Sequence, residues 1–270
     1  MEDIKRLLTT VVGLPAVILV FILGNKYIID VVILIASIIC MHEYFGVIQK
    51  VCKPIKWIGY LSSVFMSLLA LISDKLLFMQ IFLFFIPILI LTLFFHIIVT
   101  NMKITFKDVA YTLVGILYIP LFIMFLEVIR CMENGKILIG YTFVISWSTD
   151  VAAYVIGKNF GKHKFSTVSP KKSIEGCIAG LIGAVFVSLL YTWLLVSFGK
   201  IEYSYLYIVI ATIILSAISQ IGDFVASSIK RFVDVKDYSN LLPGHGGLLD
   251  RIDSLIFIAP FAYMFFYFMI

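Results

Sequence analysis

Residues 207–231 read YIVIATIILSAISQIGDFVASSIKR, a run without charge until Asp223 that ends on Lys230 and Arg231. As a helix it rises about 1.5 Å per residue, enough to cross a hydrocarbon layer about 30 Å thick. Thr212, Ser216, Ser219 with Gln220, Asp223 and Ser227 recur at steps of three or four, so they form one polar stripe down that helix. An aspartate in a membrane helix costs a few kcal/mol and faces a cavity or a partner. Asp223 lies about two turns from the basic end, within reach of water. An ion pair with a lysine of another span is the alternative reading.

The rest of the chain has the same character. Of 270 residues, 62% are hydrophobic and 14% charged, with a mean hydropathy of +1.09; ordinary soluble domains carry about 25% charged residues. The fold class expected is all-α, a polytopic integral membrane helical bundle. Cutting the apolar runs at charges and Gly or Pro clusters predicts nine spans: 8–24, 27–45, 57–73, 76–99, 110–129, 137–157, 177–196, 205–229 and 254–270. The N-terminal MEDIKRLL is followed by no small-residue cleavage site, so the first run is expected to be an uncleaved span. Residues 1–136 are expected to form a helical scaffold with dimer contacts, and 137–270 a catalytic region with loops 158–176 and 230–253.

Nine spans put 16 of the 21 lysines and arginines on the side that holds the N-terminus and both of those loops. The positive-inside rule makes that side cytoplasmic, at the cell membrane. The net charge of +5 then reflects topology and attraction to anionic headgroups, not nucleic acid. Cys40, Cys52, Cys131 and Cys177 form no CxxC or Cys/His cluster and read as packing residues. His42 and His96 read as structural histidines. Glu43, at the end of span 27–45, is expected to pair with a loop lysine.

In the span 137–157, Ser146, Asp150 and Tyr154 recur every four residues, so Asp150 is a second intramembrane carboxylate. The following loop, GKNFGKHKFSTVSPKKSIEG, holds Lys158, Lys162, Lys164, Lys171 and Lys172. Mobile ammonium groups and backbone N–H donors near glycine suit phosphate, although such a run also serves as a plain anchor. The last loop, SSIKRFVDVKDYSNLLPGHGGLLDRIDS, adds Lys230, Arg231, Lys236 and Arg251. Gly244, Gly246 and Gly247 there permit close approach or positive φ. Asp250 and Asp253, three apart, share a face if a helix begins before them, and Arg251 then points elsewhere. Carboxylates can hold a hard cation such as Mg²⁺, which takes one or two of them and fills its shell with water and phosphate.

These residues resemble the CDP-diacylglycerol synthase (phosphatidate cytidylyltransferase) family. Its signature is S-x-aliphatic-K-R, four residues, K-D-x-small, two residues, aliphatic-P-x-H-G-G-aliphatic-x-D-R-aliphatic-D. The sequence matches it with Ser227, Lys230, Arg231, Lys236, Asp237, Ser239, Leu242, Pro243, His245, Gly246, Gly247, Asp250, Arg251 and Asp253. Asp150, Ala153-Tyr154, Gly157, Phe160-Gly161-Lys162 and SPKKSIEG also resemble the family, which usually has threonine where Ser173 stands. The likeness covers about residues 140–270; the N-terminal half shares hydrophobicity and Glu43.

The resemblance implies transfer of a cytidylyl group from CTP to phosphatidate, giving CDP-diacylglycerol and pyrophosphate. It also implies a homodimer among membrane lipids and a paired-cation site at Asp223 and Asp250, with Mg²⁺ and K⁺ as the second ion. Lys230, Arg231, Lys236 and Arg251 are expected to stabilise the triphosphate and the lipid phosphate. Ser227, Lys171, Lys172, His245, Gly246, Gly247, Asp253 and Asp150 are expected around the substrates, His245 either donating to pyrophosphate or bonding within its turn. Two alternatives remain at this point: a sibling activity on another lipid phosphate, and a cation-coupled transporter using the intramembrane acids. The D-G-x-x-A-R motif of CDP-alcohol phosphotransferases is absent.

Overall fold

A computed structural model describes residues 24–164, 169, 172–200, 204–242 and 244–269. Among the described residues nine helices follow in chain order: α1 Lys26–Ile48, α2 Lys56–Ala70, α3 Lys75–Val99, α4 Phe106–Tyr118, α5 Pro120–Cys131, α6 Gly135–Phe160, α7 Ile174–Ser197, α8 Tyr205–Phe232 and α9 Leu249–Met269. The expected first span, but for Gly24, and the MEDIKRLL leader lie outside the described residues, as do Lys171 and Pro243. Seven stretches among the described residues are long and apolar enough to cross a membrane, α4 and α5 together making one, Phe106–Cys131. The protein is therefore an integral membrane helical protein, and the described residues do not confirm the count of nine spans.

The span expected at 57–73 accounts for part of that difference. Its helix, α2, has 15 residues, about 22 Å at 1.5 Å per residue, short of the hydrocarbon thickness. The apolar run continues to Ile72, but the chain needs those residues to turn, and Asp74 caps α3 by accepting from the N–H groups of Leu76 at 2.8 Å and Leu77 at 3.1 Å. A cap of this kind satisfies donors that a helix start leaves unpaired. The expected span 110–129 also differs in detail, breaking at Ile119 before Pro120, where proline fits a first helical position.

Chain contacts divide the protein into two compact units. The first holds the described residues up to Cys131 together with Phe232–Arg251; the second holds Met132–Arg231 and Ile252–Ile270. In the first unit, α1 packs against α2, α4 and α5. Tyr44 and Phe45 are buried, and glycines admit them: a Cβ on Gly115 would strike the Tyr44 ring, and one on Gly59 the Phe45 ring. The Tyr44 hydroxyl donates to Tyr111 O at 2.8 Å. Asp30 and Arg130 form an ion pair with only 12% and 9% of their side chains exposed, and Glu127, one turn before Arg130, is fully buried. By contrast α3 is apolar all round and mostly exposed, with Phe84 and Leu91 each 70% open, as a lipid-facing helix should be.

In the second unit α7 lies directly on α6 because its contact face is glycine. A Cβ on Gly176 would stand 2.8 Å from Ala153 O, one on Gly180 3.1 Å from Thr149 O, and one on Gly183 would strike Ala152. Small residues let membrane helices approach closely, and hydroxyl pairs add to the contact. Tyr141 and Thr192 bond at 2.8 Å, and Thr149 of α6 bonds Ser216 of α8 at 2.7 Å. The polar stripe on α8 thus faces protein: Thr212, Ser216 and Ser219 are buried. The stripe expected on α6 turns outward along its length, from buried Ser146 to exposed Asp150 and Tyr154.

Candidate functional site

The second unit gathers six of the expected site residues, Asp150, Lys172, Asp223, Ser227, Lys230 and Asp253, from three helices and the segment before α7. Asp223 forms an ion pair with Lys172, whose side chain is 24% exposed against 32% for Asp223. The Lys172 ammonium also stands 3.9 Å from the centre of the Phe224 ring. The partner of Asp223 is therefore a lysine of the loop entering α7, not one of another span. One turn further along α8, the Ser227 hydroxyl donates to Asp223 Oδ1 at 3.4 Å. Gly222 has α9 against it, since an added Cβ there would strike Phe257 and come 3.3 Å from Asp253 O.

That close approach brings α9 in beside the acids of α6 and α8. Asp253 is buried, with 6% exposed, and the charges of Asp223, Lys230 and Asp150 all act on it. Ser254 lies between two of the acids: its hydroxyl is 3.2 Å from Asp150 Oδ2 and 3.4 Å from Asp253 Oδ1. Its amide donates to Asp253 Oδ1 at 2.8 Å. Beside α7 and α8 runs a mainly apolar cavity of about 600 Å³ that reaches Cys177, Gln220, Phe224 and Ser228.

The loop 158–176 uses part of its donor capacity internally. Glu175, in the first turn of α7, accepts from the N–H groups of Lys162 and His163 at 3.2 Å and meets His163 Nδ1 at 2.6 Å. Backbone donors that the sequence reading offered to phosphate are taken by this carboxylate. Ser173 caps α7 through the Gly176 N–H at 3.1 Å, the hydroxyl role that a threonine also fills. Lys158 lies 5.7 Å from the Tyr154 ring.

The first unit holds the other part of the motif. α9 begins at Leu249, so Asp250 and Arg251 stand in its first turn. Asp250 Oδ2 accepts from the N–H groups of Tyr238 at 2.8 Å and Gly247 at 2.9 Å. The Arg251 Nε–H donates to His245 O at 2.9 Å, and the His245 N–H donates to Leu242 O at 2.8 Å, so the histidine's backbone helps build the turn. Gly246 has φ +81° and leaves room for Asp250, whose Oδ2 would lie 3.0 Å from an added Cβ. Lys236 is exposed.

Glu43 corrects an expectation. It is buried and, among the described residues, pairs with no lysine; it accepts from the Ser239 hydroxyl at 2.6 Å, the Leu248 N–H at 2.9 Å and the Leu249 N–H at 2.7 Å. A buried carboxylate needs donors, and the helix start supplies unpaired ones. The sequence signals were its position at the end of an apolar run and its place in the family resemblance, and neither names these donors.

The donor chemistry fits a hard cation. Asp223 and Asp250 offer carboxylate oxygens, and Asp223 already holds one positive partner in Lys172. Among the described residues no three His, Cys, Asp or Glu side chains form a protein cage. A carboxylate is the kind of hard oxygen donor that an ion such as Mg²⁺ takes, one or two at a time, completing its shell from water and phosphate.

The sequence also matches the profile of the cytidylyltransferase family over residues 4–269. The chain belongs to the cytidylyltransferase family. Its relatives include the phosphatidate cytidylyltransferase of Bacillus subtilis (strain 168), 38% identical over 176 residues, or 64% of each chain. That of Staphylococcus haemolyticus (strain JCSC1435) is 37% identical over 164 residues, 60% of this chain and 61% of the relative. That of Staphylococcus aureus (strain COL) is 39% identical over the same shares. The matched region thus spans a little under two thirds of these relatives' lengths.

Proposed function

We propose that this family member is a phosphatidate cytidylyltransferase, joining CMP from CTP to phosphatidate to give CDP-diacylglycerol and pyrophosphate. The observation that carries this reading is the group in the second unit: Lys172, Asp223, Ser227, Lys230 and Asp253 stand together among membrane helices, beside an apolar cavity. Phosphate chemistry there gives a lipid headgroup charged partners while its chains stay in apolar surroundings.

The nucleophile needs little activation, because a phosphate monoester is already largely ionised near neutral pH, its second pKa being about 6. An oxygen of the phosphatidate phosphate attacks the α-phosphorus of CTP; the bond from that phosphorus to the β-bridging oxygen breaks, and pyrophosphate leaves with the electron pair. What the reaction demands is alignment of two anions and neutralisation of their charge. Lys230, Arg231, Lys236 and Arg251 supply fixed positive charge for the triphosphate and the lipid phosphate. Ser227, Lys171, Lys172, His245, Gly246, Gly247, Asp253 and Asp150 contribute to the substrate surroundings. Asp223 of the second unit and Asp250 of the first are the carboxylates that would supply oxygens to Mg²⁺, which would neutralise phosphate charge when bound. The family resemblance supports K⁺ as a second ion and a homodimer.

The same reading places loops 158–176 and 230–253 in the cytoplasm, where CTP is found. Two candidate spans separate these loops, which carry nine lysines and arginines between them, in keeping with the positive-inside rule. Label placement tests the transfer directly. With CTP labelled at the α-phosphate, the label is expected in the lipid fraction; with label at the γ-phosphate, it is expected in water-soluble pyrophosphate. Label reaching lipid from the γ-position would mean phosphoryl transfer and would end this proposal.

A further inference from the structure

We infer that Glu43, carried by α1, is a positioning residue for this reaction: its carboxylate fixes the backbone immediately before Asp250 and Arg251. The inference rests on the roles proposed above for those two residues. Glu43 is 4% exposed, and its carboxylate receives three hydrogen bonds at 2.6–2.9 Å, from Ser239, Leu248 and Leu249. Charge-assisted bonds of this kind are short and about twice as strong as neutral ones. Two of the donors are the amides just before and at the start of α9, where a negative charge also complements the helix dipole.

Asp250 works on the same loop from its other side. It takes the amides of Tyr238 and Gly247, next in sequence to Glu43's partners Ser239 and Leu248. Residues 238–249 are thus drawn in by two carboxylates, with one short bridge of their own between Leu242 and Gly246. Gly247 is part of the device. A Cβ there would lie 2.6–2.7 Å from the Glu43 carboxyl group, so only glycine lets the loop reach it. A loop anchored chiefly by side chains moves when an anchor is lost, and a displacement of about 1 Å at reacting groups costs on the order of a hundredfold in rate.

The test uses the full-length protein in phosphatidate-containing micelles with CTP. Glu43→Gln keeps the shape but sets an amide donor against amide donors; it is expected to lower kcat on the order of a hundredfold. Hydrogen exchange should quicken at residues 239–250 and stay unchanged in α6, α7 and α8. Gly247→Ala alone should be similarly impaired, and shortening its partner in Glu43→Asp/Gly247→Ala should recover at least part of the lost rate. That non-additivity marks direct contact, and a general loss of stability does not produce it. Wild-type kcat in Glu43→Gln, or loss of protection throughout the protein with no recovery in the double variant, would overturn the inference. If the wild type proves inactive, the function proposal fails separately. Exchange then still decides the anchor: faster exchange at 239–250 in Glu43→Gln upholds it, and unchanged exchange refutes it.

Discussion

Asp250 has two duties that differ in what a substitution removes. Its Oδ2 receives two backbone amides, and its charge is proposed to hold a cation. Asp250→Asn retains a carbonyl oxygen for the amides but loses the charge, so turnover is expected to vanish while the helical circular dichroism spectrum stays that of the wild type. Near-normal turnover would remove Asp250 from the cation site. Cys52, between α1 and α2, offers a control on the first unit. Burial, with the Asp108 charge adding to it, pushes its thiol up to about 11. A raised pKa leaves the thiol protonated at lower pH, so iodoacetamide should label Cys52 slowly at pH 8 and faster as pH approaches 11. Rapid labelling at pH 8 would contradict its packing.

At the scale of elements, two contacts carry measurable stability. Arg130 and Asp30 form a largely buried pair, and leaving a fully buried charge without its partner costs about 3–5 kcal/mol. Arg130→Met should therefore lower the unfolding midpoint in detergent more than Arg130→Met/Asp30→Asn does; equal losses would mean that the pair contributes no coupling. Gly180 lies against the backbone of α6, and overfilling a well-packed contact costs typically about 1–3 kcal/mol. Gly180→Leu is expected to lower stability by that order, while Ile182→Leu, on the exposed face of α7, leaves it unchanged. Thermal unfolding of both in the same detergent checks the difference.

Across the whole molecule, hydropathy made the membrane helices legible because a bilayer imposes a length and an apolar composition on each. It misjudged residues 71–73, where the apolar side chains of Leu71 and Ile72 say nothing of the turn and the Asp74 cap that end α2 early. The motif at 227–253 was readable because its residues are close in sequence. What escaped were pairings across long separations: Glu43 lies 196 residues from Ser239, and nothing local to Lys172 names Asp223 as its partner. Nothing local marks Asp30, Glu127 and Arg130 as a group, and only the packed helices show Glu127 buried and Arg130 paired with Asp30.

Pyrophosphate release by the purified protein tests the central claim most directly, measured with CTP and phosphatidate together, with each omitted in turn, and with Mg²⁺ replaced by EDTA. Release is expected only when both substrates and the divalent cation are present, and matched mole for mole by CDP-diacylglycerol. No release under any lipid or cation condition, or release from CTP without phosphatidate, would contradict the account.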